Sequence, residues 1–275
     1  MKGIMIMLIA SLFGLLSAAS EIIQFEEKVQ PGATISVDSF NGKVEISSWD
    51  ENFVKVTAIK KSSKKKYLKN ADIEINNGEV LEIKAIPLKK NSRVGVSFQI
   101  MIPESCIIQL VDTSNGAIKV NEIRGDGRFD TSNGRIEIID SKGDFLLDTS
   151  NGAIKCDNVS GRISAETSNG SIKLFNVSEV KYADTSNGSI TAELNQVHND
   201  IQLSTSNGSI TVYLSSDLDA KLKASTSNSS VRMEDVTMRV ESQSRNKLRG
   251  TMGSGEHNIN LSTSNGGIKI MGMAD

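Results

Sequence analysis

Aromatic residues make up only 4% of the 275-residue chain, which has three prolines, two cysteines and two histidines. The two cysteines, Cys106 and Cys156, could form at most one disulfide in an oxidising compartment, and the register of the repeats speaks against it. So few prolines leave no proline-rich linker between domains. His198 and His257 sit in the polar stretches "QVHNDI" and "GEHNI", outside any HExxH or GxSxG context, so neither marks a metal or nucleophile motif. Trp49 and three tyrosines are hard to assemble into an aromatic platform for sugars. Nor is there an excess of base: 31 Lys and Arg against 33 Asp and Glu give a formal charge of -2. Nucleic-acid binders carry a strongly basic footprint, so that class is set aside. The reading therefore expects no catalytic residue, no cofactor and no metal.

What the chain has instead is aliphatic. Ile, Val and Leu supply most of the 38% hydrophobic content, and they suit pleated sheet. A first apolar run, Ile4 to Leu16, follows a short basic start and ends at "SAAS". That pattern reads as a signal peptide over residues 1–19, cut after Ala19 or Ser20. The run is shorter than the ~20 residues of a comfortable span, and no cysteine follows it for a lipid anchor. The other reading is an uncleaved N-terminal anchor. The expectation is export to the periplasm, cell surface or medium, with no transmembrane span after cleavage.

Beyond it lies a repeat. The phrase Thr-Ser-Asn-Gly, or a near copy, begins at Thr113, Thr131, Thr149, Thr167, Thr185, Thr205, Thr226 and Thr263. The first four intervals are 18 residues and the next are 20, 21 and 37. The last is two ordinary units or one with an insertion. Each Gly is followed by an alternating run such as Ile118 and Val120, Ile136 and Ile138, or Ile172 and Leu174. A turn near Gly125, Gly143 or Gly161 then leads into a second short strand. Period-two alternation marks half-buried strands.

Asn-Gly between strands suits a hairpin meander, and a fixed period suits a coiled stack. Retention of Thr, Ser and Asn favours the stack, because identical side chains then meet at ~4.8 Å and Asn can ladder. The expected fold is all-β, a β-solenoid of about 18-residue coils with a β-rich N-terminal capping segment. The structural turn residues are Asn115 and Gly116, Asn133 and Gly134, Asn151 and Gly152, and Asn169 and Gly170. Asn187 and Gly188, Asn207 and Gly208, and Asn265 and Gly266 complete them. Asn and Gly are expected there because both tolerate positive φ. Chain order puts Asn265 in the final coil, with one neighbour. Cys156 takes the core position of Val120 and Ile138. Cys106 falls three coils earlier, ~14 Å away at ~4.8 Å per coil, so two free thiols are expected.

Residues 20–111 form the N-terminal part of the solenoid and 112–275 the repeat region. The former contains a diverged first turn, Asp38 to Gly42, and a strand pair turning at Asn77-Gly78. With "FNGKVEISSWDENFVKV", "FQIMIPESCIIQLVDTSNG", the TSNG units and "LRGTMGSGEHNINLSTSNGGIKI", the chain resembles a family of exported bacterial and archaeal candidate adhesins. The resemblance spans roughly residues 24–270. It implies a β-solenoid in the envelope and supplies no catalytic residues. Ser229 in place of the turn Gly, and the long interval from 226 to 263, depart from the pattern.

Three further features draw notice. Asp112, Asp130, Asp148, Glu166 and Asp184 precede successive threonines as a solvated acidic stripe; calcium is the sharper alternative. Lys60, Lys61, Lys64, Lys65, Lys66 and Lys69 form one charge run, read as a soluble loop or guarded edge, or as a holder of anionic envelope polymer or lipid headgroups. Arg124-Gly125-Asp126 occupies a turn that already needs Gly. The functional expectation is a non-catalytic structural or adhesive envelope module. A carbohydrate-active β-helix enzyme and an envelope-stress sensing accessory are the alternatives. The partner is unknown; an envelope polymer or another surface protein fits this setting.

Overall fold

The computed structural model describes residues 5–6 and 18–273. The expected signal segment, 1–19, lies outside the described residues except at 5–6 and 18–19. The chain divides into two compact units, Met1–Arg135 and Ile136–Asp275. Both are all-β stacks of solenoid type.

In the first unit, one ladder runs Ala71–Asn77, Val80–Pro87, Thr34–Ser39, Ile107–Thr113, Gly127–Thr131. Its first pairing is antiparallel and the others are parallel. The second ladder runs Ala19–Lys28, Phe53–Ser62, Val94–Pro103, Val44–Trp49, Ile118–Asn121. Here the first two pairings are antiparallel and the last two parallel. Met5–Ile6 pairs antiparallel with Phe25 and Gln24. Spatial order departs from chain order. The coil 34–49 lies between the strands at 80–103 and the coil 107–121. The diverged turn Asp38 to Gly42 therefore stacks directly on the first full TSNG, with Ser39 opposite Thr113.

The second unit repeats the plan. Ile136, Ile154, Ile172, Ile190, Ile210, Ile268 and Val231 stand in register in one parallel column. The neighbouring column runs Ile138, Cys156, Leu174, Ala192, Val212, Ile270. All are buried. Fully burying such a side chain stabilises by about 1.5–3 kcal/mol, so the 18-residue period places one core residue on the next.

The far end differs from the arrangement expected from chain order. Ile201–Thr205 pairs with His257–Thr263, and His257–Thr263 pairs on its other side with Ala220–Thr226. The last coil in sequence is thus threaded between two earlier ones, and the coil holding Thr226 is outermost. The long interval is explained by an antiparallel hairpin, Arg239–Ser244 with Lys247–Met252, the latter pairing against Ala220–Thr226. Antiparallel pairs thus begin both ladders of the first unit and cover Ala220–Thr226 in the second, which limits the open edge that could invite aggregation. Val231–Glu234 ends its ladder on a parallel pair.

Candidate functional site

The repeated phrase builds a corner with a fixed set of bonds. Its Thr side chains are buried at every coil. In the second unit, Gly188 N–H donates to Thr185 Oγ1 at 3.2 Å, and that hydroxyl donates onward to the Gly170 carbonyl at 3.0 Å. Thr167, Thr205 and Thr263 make the same pair of bonds. In the first unit Thr131 does so, to Gly116 at 3.0 Å and from Gly134 at 3.1 Å. Thr226 donates to the Gly266 carbonyl at 2.8 Å. Thr113 is fully buried, and among the described residues its hydroxyl has no partner.

The Asn side chains form an exposed ladder. Asn115 donates to Asn41, and Asn133 to Asn115, at 2.7 Å each. In the second unit Asn169 donates to Asn151, Asn187 to Asn169, and Asn207 to Asn187, at 2.7–2.8 Å. Asn265 donates to Asn207, and Asn228 to Asn265, at 2.7 Å. Asn265 therefore has a neighbour on each side.

The glycines answer a different need from the one expected. None of the TSNG Asn or Gly residues has positive φ. A Cβ on Gly170 would lie 1.6 Å from the Gly152 carbonyl oxygen, and on Gly134 1.7 Å from that of Gly116. The same holds at Gly116, Gly188, Gly208 and Gly266, at 1.7–1.8 Å from the preceding glycine oxygen. The side chain is excluded by the adjacent coil rather than by the backbone angle. Ser229 occupies this position in the outermost coil, which has a parallel neighbour on one side only and can give way.

Positive φ belongs to the second turn instead, at Glu122, Asp140, Asn158 and Asn176, with φ between 47° and 57°. Asn and Asp enter this region more readily than other non-glycine residues. A second ladder forms there: Asn158 donates to Asp140 at 2.6 Å and Asn176 to Asn158 at 3.0 Å. Its signal was the 18-residue spacing of Asp140, Asn158 and Asn176.

The acidic stripe is in register. Asp38, Asp112 and Asp130 align in the first unit, and Asp148, Glu166 and Asp184 in the second. Desolvation, then the charges of Asp38 and Asp130, push the Asp112 carboxyl above its usual value. Arg128 Nε donates to Asp130 at 2.8 Å. Among the described residues no group of three or more His, Cys, Asp or Glu is placed to hold a metal ion.

Cys106 and Cys156 are both buried free thiols. Burial pushes Cys106 up to about 11 and Cys156 higher still. His198 is exposed and lies 3.1 Å from Gln196. His257 begins a strand beside Ala220. Arg124 pairs with Glu104 at 3.1 Å, and Gly125 has φ of 135°. Of the lysine run, Lys60 is buried beside Glu21, at 3.8 Å, and Lys61 lies on the strand Phe53–Ser62. Lys65, Lys66 and Lys69 ride a short 3-10 helix, Lys65–Asn70.

Parallel coils closed by a Thr-Asn-Gly corner define a β-solenoid repeat protein. The chain belongs to the Toastrack DUF4097 family, whose model matches residues 33–271. No curated protein matches it by sequence. Among solved structures, a candidate adhesin from Bacteroides fragilis is 12% identical over 92% of this chain and 97% of its own, with a TM-score of 0.52. A candidate lipid-binding protein from Parabacteroides distasonis is 15% identical over 95% and 96%, with a TM-score of 0.45. A candidate adhesin from the same species is 12% identical over 94% and 98%, with a TM-score of 0.40. Among the described residues no helix is long and apolar enough to cross a membrane.

Proposed function

We propose that the protein is exported and serves as a non-catalytic structural or adhesive module of the cell envelope. The corner carries this reading. The side chains repeated most faithfully, Thr and Asn, use their hydrogen bonds on the next coil. What repetition preserves is thus a scaffold, and the exposed faces between corners are left to vary. The apolar leader ending at "SAAS" supports export, and the description of the Bacteroides fragilis neighbour as a candidate adhesin agrees in kind. The partner in this reading is an envelope polymer or another surface protein.

The test is fractionation of a tagged full-length chain from its own cells, followed by cross-linking in intact envelope. Recovery in the envelope or medium, joined to a polymer or surface protein, is the expected result. Recovery in the cytosol would end the reading. Release of sugar products from a panel of polysaccharides would replace it with the enzyme reading.

A further inference from the structure

The fold gathers more base than the lysine run alone. The segment from Ser62 to Asn70 and the segment from Leu88 to Arg93 are tied together at four points. Leu88 N–H donates to the Asn70 carbonyl at 2.8 Å, and Asn70 Nδ2 to the Ser92 carbonyl at 3.0 Å. Ser62 Oγ donates to the Arg93 carbonyl at 2.7 Å, and Arg93 Nη1 to Tyr67 Oη at 2.9 Å. Lys64, Lys65, Lys66 and Lys69 thereby join Lys89, Lys90 and Arg93, all exposed. Among the described residues none of these seven forms an ion pair with a carboxylate.

The patch is not purely charged. Leu88 is 57% exposed, the highest among the large apolar side chains of the described residues. Tyr67 stands between the charges, with Lys66 Nζ and the Arg93 guanidinium each 5.2 Å from its ring centroid. Desolvation pushes the Tyr67 phenol up, but Arg93, Lys66 and Lys64 outweigh it and hold the phenol below its usual value. That is the effect of a concentrated positive potential. A soluble polyanion rewards the charges alone. An anionic bilayer surface rewards the charges and also takes Leu and Tyr into its interface.

We propose that this patch docks the protein on an anionic phospholipid surface, with lysines and Arg93 on the headgroup phosphates and Leu88 and Tyr67 in the interface. The inference deepens the envelope reading by naming a surface, and purified components test it. If it fails, the result of fractionation is untouched.

The full chain is sedimented with phosphatidylcholine vesicles, with and without phosphatidylglycerol, and partition is compared at low salt. The difference between the two vesicles isolates the charge-selective part from any contribution of the apolar leader. At about 1 kcal/mol per lysine, Lys64→Gln, Lys65→Gln and Lys66→Gln together should cut that part on the order of 100-fold. Lys89→Gln with Lys90→Gln should cut it more than tenfold on the same scale. Leu88→Ser should weaken vesicle partition and leave binding to soluble polyphosphate unchanged. Thermal melting checks that each variant folds. Salt titration of the unsubstituted chain, which should release it from phosphatidylglycerol, needs no variant. The proposal is overturned if phosphatidylglycerol adds nothing, if salt does not release the chain, or if the Lys89/Lys90 pair is silent. It also fails if Leu88→Ser leaves vesicle partition unchanged, which would make the patch a polyanion site.

Discussion

Thr113→Val and Thr131→Val are the same chemical change, 18 residues apart in one compact unit, and opposite outcomes are expected. Valine matches threonine in shape and lacks the hydroxyl. At Thr131 that hydroxyl accepts from Gly134 N–H and donates to the Gly116 carbonyl, at a residue 5% exposed. Its loss strands two buried backbone groups, at about 1–3 kcal/mol each. The sum, about 2–6 kcal/mol, corresponds to a fall of roughly 5–15 °C in melting temperature for a chain of this size. At Thr113 no bond is lost, because the hydroxyl has no partner at 0% exposure. Removing an unpaired hydroxyl from a buried site costs nothing and recovers up to about 1–3 kcal/mol. Melting temperature should therefore hold or rise. Thermal unfolding of the two variants beside the parent decides it. Equal falls would refute the corner as drawn.

Three further outcomes follow from the same geometry. Gly170→Ala should destabilise severely, since its Cβ would meet the Gly152 carbonyl oxygen at 1.6 Å, whereas Gly78→Ala, whose nearest atom is 3.9 Å away, should melt like the parent. Asn265→Ala loses bonds to both Asn207 and Asn228, about 1–2 kcal/mol for exposed amides, and Asn228→Ala should cost about half as much by calorimetry; the reverse ranking would restore chain order. Asp112, raised above its usual carboxyl value by desolvation and then by Asp38 and Asp130, binds more protons folded than unfolded. Its contribution therefore turns unfavourable as pH rises from the unfolded carboxyl value, near 4. Asp112→Asn should raise urea midpoints at neutral pH and lose that advantage below pH ~3.5; an equal gain at all pH values would remove charge as the cause.

Much of this was legible in the chain. Alternation after each Gly set the strands and their inward faces, and the identity of Thr, Ser and Asn across units pointed to parallel stacking. A period of 18 puts Cys156 in a core column, between Ile138 and Leu174. What stayed hidden depends on partners distant in sequence. The glycines were legible as corners, but their cause lies in a carbonyl 18 residues away and not in their own φ. Spatial order was hidden because nearly every coil presents a Thr and an Ile to its neighbour, with only Ser39, Val44 and Val231 differing. An identical repeat fixes how coils pair and leaves open which coil pairs with which. The hairpin Arg239–Met252 resolves this by occupying the outer side of Ala220–Thr226. The basic patch needed the same information, since Lys89 and Lys90 are separated from the lysine run by two strands.

The order of the last three coils is the part of this architecture most open to direct measurement, by disulfide trapping. Ser206, Ser227 and Ser264 are exposed and occupy the same corner position. Thr205 faces Thr263, and Thr263 faces Thr226, so the Ser264 coil is adjacent to both of the others. Adjacent coils stand ~4.8 Å apart, within reach of a disulfide, and next-but-one coils ~9.6 Å, beyond it. The two native thiols are buried, away from the exposed corner positions. Under mild oxidation, Ser206→Cys with Ser264→Cys and Ser227→Cys with Ser264→Cys should each form an intramolecular bridge, and Ser206→Cys with Ser227→Cys should not. Bridging of the 206 and 227 pair, with none at 206 and 264, would contradict the threaded stack.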